Sequence, residues 1–320
     1  MTQQKITSGK EKPKAAARWS IRFEDQDNPL CARVILDRER TPLDLKSARP
    51  LFRKIFSHWP LRRRKIRCLA TSAGFVAFDW PQQLDQAPIR AWEPPKDALD
   101  QLEKAAAKHV QQLLDEQTTR SAKDCTDYLA IGVDSQAPIE KNTKRHRDIR
   151  SSQFVCIVDL RKPPLGPHAF TLIGKFYPTP EEQRRLVRFP EFNSHFLDMG
   201  DVTAMVLVCN DITVFSPRGQ ARLRHNSPRW KISDGFHRLL AERRKPNYVI
   251  HAAHVTIQTA AWRASLCRLR ETLQPICCLS CGPYYSANNH KWRNRDELDE
   301  VRSSTKWGRV MDVIATVKRD

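Results

Sequence analysis

An α/β fold is what this 320-residue chain predicts, and three observations predict it. Short apolar runs such as 127–133 (DYLAIGV) and 204–208 (AMVLV), each followed by polar residues, read as buried strands. Between them lie segments with apolar residues at helical spacing, the clearest being Lys96–Glu116 with Leu99, Leu102, Ala106, Val110 and Leu113 on one stripe. Strands that alternate with helices favour sheets covered by helices over a bundle or an all-β sandwich. A content of 40% hydrophobic and 28% charged residues is that of a globular chain, and the length suffices for one large domain over 19–320.

The elements follow in order. Residues 1–18 are polar, lysine-rich and without periodicity, which predicts a disordered basic tail. RWSIRF from Arg18 and ARVIL from Ala32 are short strands, and 45–58 is a helix with Leu51, Ile55 and Phe56 on one face. GFVAFDWP, from Gly74 to Pro81, reads as a strand that ends near Trp80, and the prolines of 85–95 mark a loop. After helix 96–116 come strands 127–133 and 154–160, then AFTLIGK up to Lys175. YPTPEEQRRL reads as a turn and a helix start, because glutamates suit the positive N-terminal end. A basic segment, 218–245, separates the cysteine strand from NYVIHAAHV; a helix over Trp262–Leu273 and the apolar PICCLSC follow.

The balance of charge is +19, a field that attracts polyanions. Arg62, Arg63, Arg64 and Lys65 beside Trp59, with Arg145 and Arg147 in the basic loop 141–150, are the candidate nucleic-acid contacts, since cations and an aromatic ring together suit phosphate contact and base stacking. The other reading of these residues is a solvated surface. No apolar run approaches the roughly 18 residues of a membrane helix, and the N-terminus has no apolar signal core, so a cytoplasmic chain is expected. Nine widely spread cysteines do not resemble a disulfide framework. No phosphate loop, dinucleotide fingerprint or GxSxG is present, and no cofactor is expected. Cys277, Cys278 and Cys281 with His290 have soft-ligand character, but the apolar residues among them suit a buried strand better than a zinc site.

The chemistry-bearing pair is Cys209, at the polar end of VLVCNDI, and Lys175, 34 residues upstream at the end of another apolar run. A thiol at a strand end serves as a nucleophile once ionised, and an ammonium beside it stabilises an oxyanion. Cysteine is also among the most buried residues, so a packed, inert thiol is the competing reading. His251 and His254 at the end of NYVIHAAHV read either as substrate contacts or as structural histidines.

From Gly74 onward the chain resembles the nitrilase, or carbon–nitrogen hydrolase, superfamily. LIGKFYPTPEEQ resembles a strand that ends in the catalytic lysine, VLVCND resembles the nucleophile elbow, and NYVIHAAHV to CRLRE with ICCLSCG resembles the strand, helix and strand beyond it. The resemblance implies an αββα sandwich, a homodimer, and a cysteine, lysine and glutamate acting on an amide or nitrile. Cys209 and Lys175 fill two of these roles, and Glu182, or Glu181, resembles a second glutamate that orients the lysine or the water. The first glutamate is missing: the strand GFVAFDWP leads into Gln82, which is no general base. Glu93 is the nearest replacement, Asp79 a weaker one, and Asp134, only 41 residues before Lys175, is too near for the elements that must intervene. A C–N hydrolase that uses Cys209, Lys175, Glu93 and Glu182 is therefore expected; the alternative is a degenerate nitrilase-like module that binds nucleic acid through its basic surface.

Overall fold

The computed structural model describes residues 18–24, 28–37, 41–60, 65–85, 89, 93–138, 150–162, 169–216, 223–243, 245–254, 260–282 and 302–318. Residues 1–17 of the expected tail, Arg62, Arg63, Arg64, Arg145, Arg147 and His290 lie outside them, while Arg18, given to the tail, begins a strand. The described strands form two sheets. The larger has the order β1 (Arg18–Glu24), β13 (Val310–Lys318), β2 (Cys31–Asp37), β3 (Ile66–Ala70), β5 (Thr126–Gln136), β6 (Ser151–Asp159) and β7 (Phe170–Gly174), with β4 (Val76–Ala77) beside β5. Its centre is parallel, and β1, β6 and β7 run antiparallel to their neighbours. The smaller has the order β12 (Lys306–Trp307), β11 (Cys277–Cys281), β10 (Tyr248–Ala252), β9 (Thr203–Val208) and β8 (Phe196–Asp198).

Each sheet is apolar on both faces, and each face has a cover. Helices α1 (Leu45–Ser57) and α2 (Lys96–Leu113) bring Leu51, Ile55, Leu102 and Val110 against Leu129, Ile131, Val133 and Phe154 of the larger sheet. The intervening positions of the same strands, Ala130 and Val155, turn inward and meet Val206, Val208, Ile250 and Leu279 of the smaller sheet. On the far side, α4 (Pro228–Glu242) and α5 (Ala260–Leu273) set Ile232, Phe236 and Leu269 against Met205, Leu207 and Val249. The layering is αββα. Burial on both faces is why these strands read as continuous apolar runs without a polar alternation. The cysteines of β11 follow the same pleat: Cys277 and Cys281 lie between the sheets and Cys278 under the helices, as core residues.

Several elements differ from the sequence expectation. GFVAFDWP is not a strand beyond Val76–Ala77; its Phe75, Phe78 and Trp80 are buried in the outer core as a loop, and the strand is Ile66–Ala70 just before it. The helix expected to reach Glu116 stops at Leu113, because Asp115 accepts a hydrogen bond from the Thr118 N–H at 2.9 Å and so caps a new helix, α3 (Glu116–Lys123). Ser227, which accepts from the Trp230 N–H, and Pro228 at the first helical position start α4 inside the stretch that looked merely basic. At the edge of the sandwich Arg33 of β2 is fully buried beside its register neighbour Asp312 of β13 at 2.7 Å, and its guanidinium also donates to the Ser280 carbonyl of the smaller sheet at 2.7 Å.

Candidate active site

The register of the larger sheet builds half of the site. Asp134 lies directly opposite Gln153 across β5 and β6, and Lys175 follows Gly174, the partner of Phe154, so its N–H reaches the Gln153 carbonyl at 2.9 Å. Residues opposite one another on antiparallel strands share a face. That face is the inner one, and the row Asp134, Gln153, Lys175 follows the apolar row Gly132, Val155, Ile173 toward the edge of the inter-sheet core.

Lys175 is wholly buried, and its Nζ lies 2.6 Å from Glu182 Oε2. The expected helix start at 177–186 is a set of turns, and the motif that suggested it does something else. The Thr179 hydroxyl accepts from the Glu182 N–H at 3.2 Å while Glu182 Oε2 accepts from the Thr179 N–H at 2.9 Å, the reciprocal bonds of a capping box. The turn is thereby fixed, with the Glu182 carboxylate on the lysine and Glu181 exposed. Glu182 Oε1 accepts from the Gln153 amide at 3.1 Å. Burial alone raises the Glu182 carboxyl, but the Lys175 charge and these bonds outweigh it and hold the group down at about 2. Burial likewise lowers an ammonium, yet Lys175 is held above its ordinary value by the charges of Cys209 and Glu182.

The smaller sheet supplies the other half. Cys209 follows β9 with a φ of +50°, a left-handed conformation rare for a residue with a side chain and held here by its surroundings. The buried Asp211 carboxyl group, pushed well above the usual carboxylate range by burial, accepts from the Val208 N–H at 2.9 Å and the Tyr177 N–H at 2.8 Å, pinning the elbow to the chain beyond Lys175. His251, on β10 beside β9, reaches the Cys209 carbonyl through Nε2 at 2.7 Å and the Ser280 hydroxyl through Nδ1 at 2.8 Å. Burial depresses this imidazole to about 4, so it is neutral: Nε2–H donates to the carbonyl, and Nδ1 accepts from the hydroxyl. It is a positioning residue.

His254 lies close enough to the Cys209 side chain for each to shift the titration of the other, and places its Nε2 2.5 Å from Asp134 Oδ2. Burial opposes its charge, but Asp134 and then Cys209 raise it well above an ordinary imidazole. Burial also raises the Cys209 thiol; the charge of Lys175, followed by that of His254, overrides it and brings the thiol down to about 7. Two glycines make room for this arrangement. Gly132 lets the 71–74 loop cross the sheet, where a Cβ would meet the Ser72 carbonyl oxygen at 1.9 Å. Gly74, at φ +56°, faces the His254–Asp134 pair, and a Cβ there would stand 3.0 Å from Asp134 Oδ2.

Lys175 and Glu182 are thus in direct contact, and their charges act on the Cys209 thiol. Glu93 is not with them: it is exposed ahead of α2, and its charge acts on Arg188. Gln82 is exposed in a 3₁₀ turn. The carboxylate that reaches the thiol does so through His254, and it is Asp134, which the sequence spacing had excluded. The 41 residues between Asp134 and Lys175 suffice because β5, β6 and β7 form an antiparallel meander that needs few residues. Of the candidate nucleic-acid contacts, Lys65 is described, and its ammonium pairs with Asp127 at 2.9 Å. Among the described residues no cluster of three or more His, Cys, Asp or Glu is placed to hold a metal ion, and no helix is long and apolar enough to cross a membrane.

No family model and no curated protein matches the sequence. Among solved structures the chain is similar to a carbon–nitrogen hydrolase from Helicobacter pylori G27, at 7% identity and a TM-score of 0.41, over 82% of this chain and 74% of that one.

Proposed function

We propose that this chain hydrolyses a carbon–nitrogen bond with Cys209 as nucleophile. The observation that carries the reading is a thiol at a strand end whose charge is favoured by two cations, Lys175 and His254, each paired with its own carboxylate, Glu182 and Asp134. A thiol at about 7 is substantially ionised at neutral pH, and the imidazole that faces it carries a proton.

The thiolate attacks the acyl carbon, and a C–S bond forms. The Lys175 ammonium has three N–H donors, of which one is used on Glu182, so it can also stabilise the oxyanion. The tetrahedral species collapses with loss of the C–N bond, and the departing nitrogen takes the His254 proton and leaves as an amine or ammonia. Neutral His254 then removes a proton from water, the hydroxide attacks the thioester, the C–S bond breaks, and the carboxylic acid leaves as the thiolate and imidazolium are restored. Proton transfer, which the sequence resemblance gave to Glu93, belongs in this reading to His254 with Asp134 as its orienter.

The test is mass spectrometry of the intact protein quenched during turnover of simple acyl amides. An acyl adduct on Cys209 that is absent from Cys209→Ala is expected. No adduct, together with a Cys209 that alkylates at pH 7 no faster than the exposed Cys267, would sink the proposal.

A further inference from the structure

Two acceptor oxygens in the site have no hydrogen-bond partner. Gln153 donates its amide N–H to Glu182 Oε1 at 3.1 Å, and its Oε1 is shut off from water and unpartnered. Asp134 receives His254 on Oδ2, and its Oδ1 is likewise buried and unpartnered. The amide orientation is dictated by chemistry: turned over, Gln153 would set its oxygen against an ionised carboxylate. The two residues are direct register partners, so their side chains leave the same face of the sheet as neighbours, and the same row continues to Lys175. A buried acceptor left empty is costly, and a pair of them suits a group with two donors.

We infer that Gln153 Oε1 and Asp134 Oδ1 form an acceptor pair for the NH2 of a primary carboxamide, and that this pair selects amides over nitriles and esters at Cys209. The inference rests on the hydrolase reading and narrows it. A nitrile or an alkyl ester brings no N–H, and leaves both oxygens unsatisfied in the very complex that must react; sites built to hydrogen-bond a substrate donor discriminate strongly against analogues that lack it. Charge agrees. Lys175 and His254 against Cys209, Glu182 and Asp134 sum to one negative charge, which favours a donor-rich, uncharged group over an anionic one.

Butyramide and methyl butyrate give the same butyryl-Cys209, so the ratio of their acylation rates reads recognition of the leaving group alone. In Gln153→Met, which keeps the length and removes both polar atoms, that ratio is expected to fall about tenfold or more. A purely structural role would slow both substrates together and leave the ratio unchanged, which would overturn the inference. N,N-dimethylbutyramide tests the same point on the unaltered protein: with no N–H it should acylate Cys209 at least about tenfold more slowly than butyramide. If the unaltered protein is acylated by the ester and not by butyramide, hydrolysis stands and the acceptor pair falls. If neither acylates a Cys209 that iodoacetamide still alkylates, the hydrolase reading itself falls, and the inference with it.

Discussion

His254→Ala removes one of the two cations that hold the Cys209 thiol at about 7 and leaves the Lys175–Glu182 pair in place. Burial, which pushes the thiol up, is then opposed mainly by a lysine that Glu182 already neutralises, so the thiol returns toward an ordinary value of about 8.5. At pH 6 both forms lie on the slope of their titration, and a rise of roughly 1.5 units cuts the thiolate fraction about 30-fold. The assay is the pH dependence of iodoacetamide alkylation of Cys209, followed by peptide mass spectrometry in a Cys267→Ser background, because Cys267 is exposed and competes for reagent. His254 is only partly buried and ends a strand-loop transition, so the variant should fold. A midpoint that stays near 7 would refute the reasoning: the lysine alone would then set the ionisation, and His254 would be a bystander.

Three further outcomes follow from the same geometry. Asp134→Asn removes the carboxylate that raises His254; activity needs the imidazolium and is lost as pH rises through its pKa, so the alkaline limb of the kcat/KM profile should shift to lower pH while the acid limb near 7 stays with Cys209. Glu182 titrates at about 2 in the fold against about 4.3 unfolded, a depressed carboxylate whose stabilisation is complete above the unfolded value and vanishes as pH falls toward 2; denaturant melts should show a loss of about 3 kcal/mol over that window, absent in Glu182→Gln. Gly74→Ala puts a Cβ at a left-handed backbone position and 3.0 Å from Asp134 Oδ2, which should cost about 1 kcal/mol or more in stability and, by pressing Asp134 off His254, shift the alkaline limb to lower pH as Asp134→Asn does.

The parts of the site that were legible in the sequence are those carried by local pattern. Cys209 and Lys175 both end apolar runs, and a strand end delivers its next residue to the edge of a sandwich core. Glu182 sits three residues after Thr179, a spacing that fixes the turn whether or not a helix follows. Asp134 and Gln153 depend instead on which strands pair and in which direction, and the 41 residues between Asp134 and Lys175 are enough once β5, β6 and β7 pair as an antiparallel meander. His254 has the same character: β10 runs parallel to β9 with Ala252 beside Val208, so the residues just beyond, His254 and Cys209, emerge together. Glu93 recommends itself by sequence distance alone, and distance along a loop says nothing of direction. The strand misplaced onto GFVAFDWP shows the limit of apolar content, since Phe75, Phe78 and Trp80 are as buried in a loop as they would be in a strand.

The division of the site between the sheets explains why so little of it is local. Asp134, Gln153 and Lys175 come from the larger sheet, Cys209, His251 and His254 from the smaller. Neither half ionises the thiol unaided: without Lys175 and the Asp134-bound proton of His254, burial would leave Cys209 an ordinary or weaker acid, as it leaves Cys156 within the core, pushed well above the thiol range. The distance between the halves is set by the inter-sheet core, where Cys68, Ala70, Ala130, Ala204 and Ala252 are small enough to let the sheets approach. Arg33 closes the same gap at the sandwich edge by tying β2 and Asp312 to the Ser280 carbonyl, and the Ser280 hydroxyl in turn holds His251 against the Cys209 carbonyl. Packing and chemistry therefore share atoms: the contacts that hold the two sheets in register also hold the thiol between its two cations.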